Sequence, residues 1–159
     1  MALQSTVNKQ LAVGMEGEFY DNSPRRVTTY AGYGTQSADA KIGAAFTLDA
    51  LKEGKANVGG SGVFAGIAVN PKEYATYNNF NATLVIPSGV AVQLCTFGHI
   101  YVRVAADTTA GQVAFFSTTD GSIKGGTAGA TVEGFVEIKN SSFKSAAASG
   151  KIAKLELGN

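Results

Sequence analysis

The longest regular pattern in this sequence is an alternation of side chains between Val90 and Val104. The even positions are apolar in almost every case, whereas the odd positions are mixed and include a glutamine, a histidine and an arginine. Because successive side chains of a β-strand point to opposite faces, this two-residue period predicts one long, half-buried strand. Gly98 lies on the apolar face and predicts a bulge or a bend near the middle of that strand.

Shorter segments show similar β patterns, and turn-forming residues separate them. Asp120-Gly121 predicts a tight hairpin between strands at 113–118 and 122–124, and Gly125-Gly126 predicts a further turn. Seven or eight short strands at this spacing are typical of an all-β fold, either a small β-barrel or a β-sandwich. Besides Val90–Val104, we expect strands at Arg25–Ala31, Lys41–Thr47, Gly62–Val69, Ala82–Ile86, Gln112–Ser117, Thr131–Ile138 and Lys151–Leu157.

The first 24 residues differ from the rest, because no two-residue period is sustained between Met1 and Pro24. We therefore expect an extended N-terminal arm, residues 1–24, on a single β domain, residues 25–159. Phe19 and Tyr20 are apolar enough to need a surface to pack against. The other interpretation is that this segment forms a first strand and a loop of the same β domain, and the sequence leaves both open.

Charge and composition exclude several classes of function. Lys+Arg 13 against Asp+Glu 12 leaves a formal net charge of +1, whereas nucleic-acid surfaces need clustered cations, so we expect no nucleic-acid partner. No apolar run approaches the roughly 20 residues that span a bilayer, and no secretory signal begins the chain, so we expect a soluble protein made in a cytoplasm. Charged residues make up only 16%, and such a surface suits extensive packing against other protein.

The only cysteine and the only histidine, Cys95 and His99, lie four residues apart in the long predicted strand. At about 3.3 Å per residue they are roughly 13 Å apart, whereas a nucleophile and its base must approach to about 3 Å. Zinc ligands lie about 2.0–2.3 Å from the metal, which this spacing also forbids. We therefore predict a buried Cys95 and a half-exposed His99, with no catalytic residue, no metal and no cofactor.

The acidic residues form no persuasive catalytic pair. Glu16 and Glu18 are the closest two by spacing, and Glu133 and Glu137 share one strand face but lie too far apart for shared acid–base chemistry. We expect all four to be solvated, since acidic side chains mostly stay exposed. Asp120 is explained by its turn, where its carboxylate can accept hydrogen bonds from nearby backbone.

Four segments together carry a resemblance to a known family. They are GMEGEFYDNSPRRV (14–27), GVFAGIAVNPKEYA (62–75), LCTFGHIYVRV (94–104) and GFVE (134–137). In this order they resemble the structural cement, or capsid decoration, proteins of tailed bacteriophages. The likeness extends over most of the chain, and only Lys52–Ser61 and Asn140–Ser149 contain no recognisable motif.

The resemblance implies a virion structural protein, made in the host bacterial cytoplasm, that binds the outer surface of the lattice of major capsid protein and reinforces it. It implies a homotrimer, with a dimer as the other arrangement, and it supplies no catalytic, metal or cofactor residues. Two segments are the candidate protein interface. They are the arm around Phe19, Tyr20, Arg25 and Arg26, and the turn formed by Asn70, Pro71, Lys72, Glu73 and Tyr74.

The alternative function is that of a carbohydrate-binding or adhesin module of a virion. Its ligand would lie on the aromatic residues Phe64, Tyr74, Tyr77 and Phe80. The chain has no tryptophan, which weakens a sugar-stacking platform, and aromatic residues near a strand end more often pack in a barrel mouth or an interface.

Overall fold

The computed structural model describes residues 13–30, 40–70, 86 and 90–158. Strands and turns account for the regular structure in these ranges, with no helix, which confirms the all-β prediction. In particular, these ranges contain no helix long and apolar enough to cross a membrane. The strands are β1 (Arg26–Tyr30), β2 (Ala45–Leu48), β3 (Ala56–Val58), β4 (Phe64–Ala68), β5 (Val92–Arg103), β6 (Val113–Ser117), β7 (Ile123–Gly126), β8 (Phe135–Ile138), β9 (Ser141–Phe143) and β10 (Ile152–Leu157).

The strands form two antiparallel sheets. The larger sheet has the order β3-β2-β4-β5-β10-β9, with β1 also paired to β5, and the smaller has the order β7-β6-β8. The first half of β5 pairs with β1 and β4, and its second half pairs with β10. The long alternation in the sequence therefore forms the centre of the larger sheet.

The apolar residues of β5 are buried in two different clusters. Val92 and Leu94 pack in a cluster with residues of β2, β3 and β4. Ile100 and Val102 pack in a second cluster, which contains residues of both sheets. Cys95, an odd-numbered residue, is fully buried in this second cluster. The strand therefore changes the core that it faces partway along its length.

This change of face occurs at a bulge and a bend in β5. In the pairing with β1, Arg26 lies opposite Phe97 and Val27 opposite Cys95, so Thr96 has no partner residue there. Gly98 has a φ of 126°, which L side chains rarely adopt. The predicted bulge or bend near Gly98 is confirmed.

The two sheets share one core. Phe116, Ile123 and Ile138 of the smaller sheet belong to the same cluster as Ile67 and Leu155 of the larger sheet. Each of these side chains is at most 2% exposed, and full burial of a residue of this size stabilises the fold by about 1.5–3 kcal/mol. This common core fixes the smaller sheet against the larger one.

Most of the predicted strands are confirmed, but some begin later than expected. Lys41–Thr47 was expected as a strand, yet a turn closed by the Ala44 N–H and the Lys41 carbonyl oxygen (3.1 Å) delays β2. A similar turn, closed by the Phe135 N–H and the Val132 carbonyl oxygen (3.1 Å), delays β8. The predicted strand Ala82–Ile86 lies outside the described residues, apart from the buried Ile86.

The Asp120-Gly121 hairpin is confirmed, because β6 and β7 pair as antiparallel neighbours across it. The turn predicted at Gly125-Gly126 is wrong, since both glycines lie in β7. A side chain at Gly126 would stand only 2.7 Å from the Phe115 ring, so this strand needs glycine for packing and not for a turn. β3 and β9 were not predicted, because three residues are too few to show the two-residue alternation of a strand.

Residues 13–24 lie along the second half of β5. The Gly17 N–H donates to the Tyr101 carbonyl oxygen (2.8 Å), and the Tyr101 N–H donates to the Glu18 carbonyl oxygen (2.8 Å). Phe19 forms a β-bridge with Ile100 and packs against the shared core. Phe19 therefore finds its apolar surface on its own domain. The division of the chain at residue 24 stays a prediction, and residues 1–12 lie outside the described ranges.

We expect Gly98→Ala to lower the free energy of unfolding by about 2–4 kcal/mol. A methyl group there would stand 2.9 Å from the Arg25 Cβ and 3.3 Å from the Pro24 carbonyl oxygen, in a backbone conformation that alanine resists. Gly129→Ala is the matched control, because Gly129 also has a positive φ (75°) but open space around it, and we expect it to cost only about 1 kcal/mol. Denaturant unfolding measures both, and equal losses would show that crowding at the bend is unimportant.

Candidate interaction surface

The two segments predicted to form an interface meet in the structure. The Asn70 N–H donates to the Gly17 carbonyl oxygen (2.9 Å), which joins the end of β4 to the segment 13–24. Gly17 has a φ of 79°, and a side chain there would stand 2.9 Å from the Asn70 nitrogen. This contact therefore requires glycine at position 17. Pro71, Lys72, Glu73 and Tyr74, the rest of the predicted turn, lie outside the described residues.

A cleft of about 320 Å³ opens beside this contact, and we call it the Arg25 cleft. Three residues of the predicted interface line it, namely Phe19, Arg25 and Asn70. The sequence did not indicate the other lining residues, because their place depends on the Gly17–Asn70 contact between distant segments. They are Gly17, Glu18 and Val69.

Arg25 is the most prominent charged group of the cleft. Its Cζ atom lies 4.5 Å from the centroid of the Phe19 ring, which is a cation–π contact. Phe19 is half-buried and packs against the shared core, so it forms a fixed base for the guanidinium. Arg26 follows as the exposed first residue of β1. Within the described ranges, neither arginine forms an ion pair with a carboxylate.

Tyr20 belongs to a different surface. Its ring stacks on the His99 ring with centroids 5.1 Å apart and planes 6° apart, and Lys154 Nζ lies 5.4 Å from its centroid. Burial, together with the negative charges of Asp21 and Glu156, raises the pKa of Tyr20 to about 12. The Tyr20 hydroxyl therefore stays protonated at neutral pH, and its ring helps to hold the segment 13–24 against β5 and β10.

His99 is the centre of a cluster of charged groups beside Tyr20. Its Nδ1–H donates to Asp21 Oδ2 (2.5 Å), and its Nε2 lies 3.7 Å from Glu156 Oε1. Glu156 also pairs with Lys144. The hydrogen bond from His99 lowers the pKa of Asp21, and the hydrogen bond from Lys144 lowers the pKa of Glu156. This cluster links the segment 13–24 to β5 and β10.

Cys95 and His99 do not form a site together. Cys95 is fully buried, and its Sγ–H donates to the Phe97 carbonyl oxygen (3.3 Å). Burial raises the pKa of the Cys95 thiol to about 11, which leaves very little of the reactive thiolate at neutral pH. The predictions of a buried Cys95 and a half-exposed His99 are confirmed.

One carboxylate behaves differently from what the sequence predicts. Glu16 is only 8% exposed, and it accepts two hydrogen bonds from Arg103, from Nε to Oε1 (3.0 Å) and from Nη2 to Oε2 (2.8 Å). The expectation of a solvated Glu16 is wrong. The Arg103 guanidinium, on β5, donates both hydrogen bonds and compensates the buried negative charge. Arg103 Nη1 also donates to the Gly150 carbonyl oxygen (2.6 Å).

The remaining acidic residues agree better with the sequence. Asp120 Oδ1 accepts a hydrogen bond from the Ser122 N–H (3.1 Å), as expected for its turn. Glu137 Oε2 accepts one from the Gly129 N–H (2.8 Å), whereas Glu133 is exposed and precedes β8. In the described part of the chain, no three or more His, Cys, Asp or Glu residues come together in a group that could hold a metal ion.

Comparison with protein families identifies the chain. The family model described as "Structural cement protein (E217 gp24/Pam3 gp6)" matches residues 3–158. The chain belongs to this family of phage structural cement proteins. The resemblance noted in the sequence is therefore confirmed over nearly the whole length of the chain.

Comparison with solved structures gives a consistent result. A chain from "The capsid of Myoviridae Phage XM1" superposes with a TM-score of 0.68 at 18% sequence identity, covering 100% of the cement protein and 99% of that chain. At this identity the likeness shows a shared fold. No individually curated protein matches the sequence.

The family assigns a place and a role to the cement protein. It is a structural protein of a phage capsid, located in the virion, where it associates with the capsid lattice and stabilises the shell. The family is structural rather than catalytic, which agrees with a buried thiol and a histidine held between carboxylates.

We expect Glu16→Gln to lower the free energy of unfolding of the cement protein by about 1–2 kcal/mol. The substitution keeps the side-chain shape but removes the charge that Arg103 neutralises. Glu133→Gln is the matched control, since Glu133 is exposed, and its effect should stay within about 0.5 kcal/mol. Chemical denaturation measures both, and a neutral Glu16→Gln would contradict a stabilising role for the pair.

We expect acidification to weaken the attachment of the segment 13–24 to β5. The pKa of Asp21 is lowered in the folded protein by the His99 hydrogen bond, so its contribution is complete above the ordinary pKa of about 3.9 and is lost as the pH falls through the lower folded value. Asp21→Asn should therefore flatten the decrease of the melting temperature below about pH 4. Thermal melts from pH 7 to pH 2 measure this, and identical curves for both proteins would refute it.

Proposed function

We propose that the cement protein binds the outer surface of the assembled shell of major capsid protein as a homotrimer, and that the Arg25 cleft and the arm before it make the contact. The observation that supports this most directly is the meeting of the two segments expected at the interface. Phe19 and Arg25 come from one segment and Asn70 from the other, yet all three line one cleft. Arg26 extends the same exposed surface onto β1.

The mechanism is one of mass action. A protein that binds the assembled shell, but not its separated subunits, shifts the equilibrium towards the shell. This requires a binding surface that is already formed before docking. The Gly17–Asn70 hydrogen bond and the Phe19–Arg25 contact supply such a preformed surface, because both lie on backbone that is hydrogen-bonded to β5.

A trimer adds avidity to contacts that are individually weak. After the first subunit docks, the second and third contacts become effectively intramolecular, so overall binding strengthens without any new type of contact. The low charged fraction of the chain, 16%, supports extended contact with other protein rather than with nucleic acid. In this proposal the N-terminal arm also contributes by strand addition to a sheet edge of a neighbouring protein.

The proposal includes no chemical step. Cys95 is buried, with its pKa raised to about 11, and His99 is committed to Asp21 and Glu156. These features support a passive binding protein that is not an enzyme.

We expect deletion of residues 2–12 to abolish binding to empty phage heads while the domain stays folded. Deletion of residues 2–23 should instead destabilise the domain, because it removes Glu16 from Arg103 and Phe19 from the core. Circular dichroism reports folding, and co-sedimentation with heads that lack the cement protein reports binding. The mass of the intact protein in solution, measured by sedimentation equilibrium, tests the trimer.

Two outcomes would contradict this proposal separately. Full occupancy of heads by the protein without residues 2–12 would show that the arm is unnecessary. A monomeric mass, both free and when eluted from heads, would show that the trimer is wrong.

A further inference from the structure

The two adjacent arginines at the Arg25 cleft differ from Arg103, the other described arginine, which forms an ion pair within the chain. Arg103 is committed to Glu16, and Lys144 is committed to Glu156. Arg25 and Arg26 are both exposed, and no carboxylate within the described ranges lies in ion-pair distance of either. Neither positive charge is therefore neutralised by an ion pair within the described part of the chain.

The Arg25 guanidinium at this cleft suits one kind of ligand. Its Cζ atom lies 4.5 Å from the Phe19 ring centroid, and this cation–π contact favours a position of the guanidinium beside the ring. A planar fork of N–H donors matches a carboxylate, which it binds with two parallel hydrogen bonds.

The walls of the cleft fit the same ligand. Phe19 and Val69 contribute apolar surface to it, and Asn70 contributes a polar group. Glu18 also lines the cleft, but its Oε2 accepts a hydrogen bond from the Met15 N–H (3.2 Å). A cleft that combines some apolar surface with an exposed guanidinium can accept an acidic side chain, whose short aliphatic stem ends in a carboxylate.

We propose that the Arg25 cleft binds an aspartate or glutamate side chain of the major capsid protein, exposed on the outer surface of the assembled lattice, with Arg26 contributing a second positive charge. This inference rests on the proposed function, since it names the chemistry by which the same surface recognises its partner. It adds that recognition is electrostatic and bidentate at Arg25.

The acidic residues of the protein itself favour an outside partner over a second copy. Apart from Glu53 and Glu133, every described carboxylate accepts a hydrogen bond from its own chain. The engaged residues are Glu16, Glu18, Asp21, Asp49, Asp107, Asp120, Glu137 and Glu156. On the described surface of a second copy, only Glu53 and Glu133 are carboxylates with no hydrogen bond from their own chain.

The first experiment measures binding of full-length variants to empty heads assembled from the phage's own capsid protein. Arg25→Ala should weaken binding about tenfold or more, and Arg25→Lys should fall between Ala and the unmodified protein because it keeps the charge but loses the fork. Lys124→Ala is the matched control. It also removes a cation lying over a phenylalanine ring, 3.7 Å from the Phe135 centroid, but it lies in the smaller sheet, and binding should be unchanged.

The second experiment uses Arg25→Lys to place an amine in the cleft. A carbodiimide joins an amine directly to a carboxylate in contact with it, so it should link position 25 to an acidic residue of the capsid protein on intact heads. Mass spectrometry of the digested complex identifies the linked residue. Replacing that capsid residue with its amide should weaken binding of the unmodified cement protein by a similar factor.

The outcomes separate this inference from the proposed function. If the unmodified protein fails to bind heads, the proposed function fails. If it binds and Arg25→Ala binds equally well, only the present inference is overturned. A cross-link from position 25 to Glu53 or Glu133 of a second copy, or a change of oligomeric mass in Arg25→Ala with head binding intact, would also overturn it by assigning the cleft to self-association.

Discussion

The bend of β5 at Gly98 is the constraint on which most of this structure depends. Because β5 turns there, its first half packs with β1 and β4 and its second half with β10 and the segment 13–24. The absence of a side chain at Gly98 also lets Arg25 approach, since a methyl group would stand 2.9 Å from the Arg25 Cβ. The same feature that divides the core therefore also sets the position of the arginine in the cleft.

The fold could be predicted from the sequence wherever a pattern was local. The alternation in β5, the hairpin at Asp120-Gly121 and the bend at Gly98 all follow from period and backbone preference. β3 and β9 are three residues long and carry no period. The turn predicted at Gly125-Gly126 was wrong because glycine is common both in turns and where a neighbouring side chain packs closely. Here Gly126 leaves room for the Phe115 ring within a strand.

The candidate site was predictable only in part. The sequence indicated Phe19, Arg25 and Asn70 as members of two separate segments, but nothing in it showed that those segments touch. That contact is a hydrogen bond between the backbones of Gly17 and Asn70, and almost any residue type can form such a bond, so the sequence does not reveal it. The burial of Glu16 was missed for a similar reason, because its partner Arg103 is distant in sequence and meets it only through the pairing of the segment 13–24 with β5.

The attachment of the segment 13–24 also has a mechanical consequence. Its hydrogen bonds to His99 and Tyr101 flank a single antiparallel bridge between Phe19 and Ile100, and bonds of an antiparallel pair lie perpendicular to the chain direction. A pull along the segment therefore loads them together in shear instead of opening them one after another, and the Glu16–Arg103 pair shares that load. Tension on this segment would therefore pass directly into β5, the strand that joins both halves of the larger sheet.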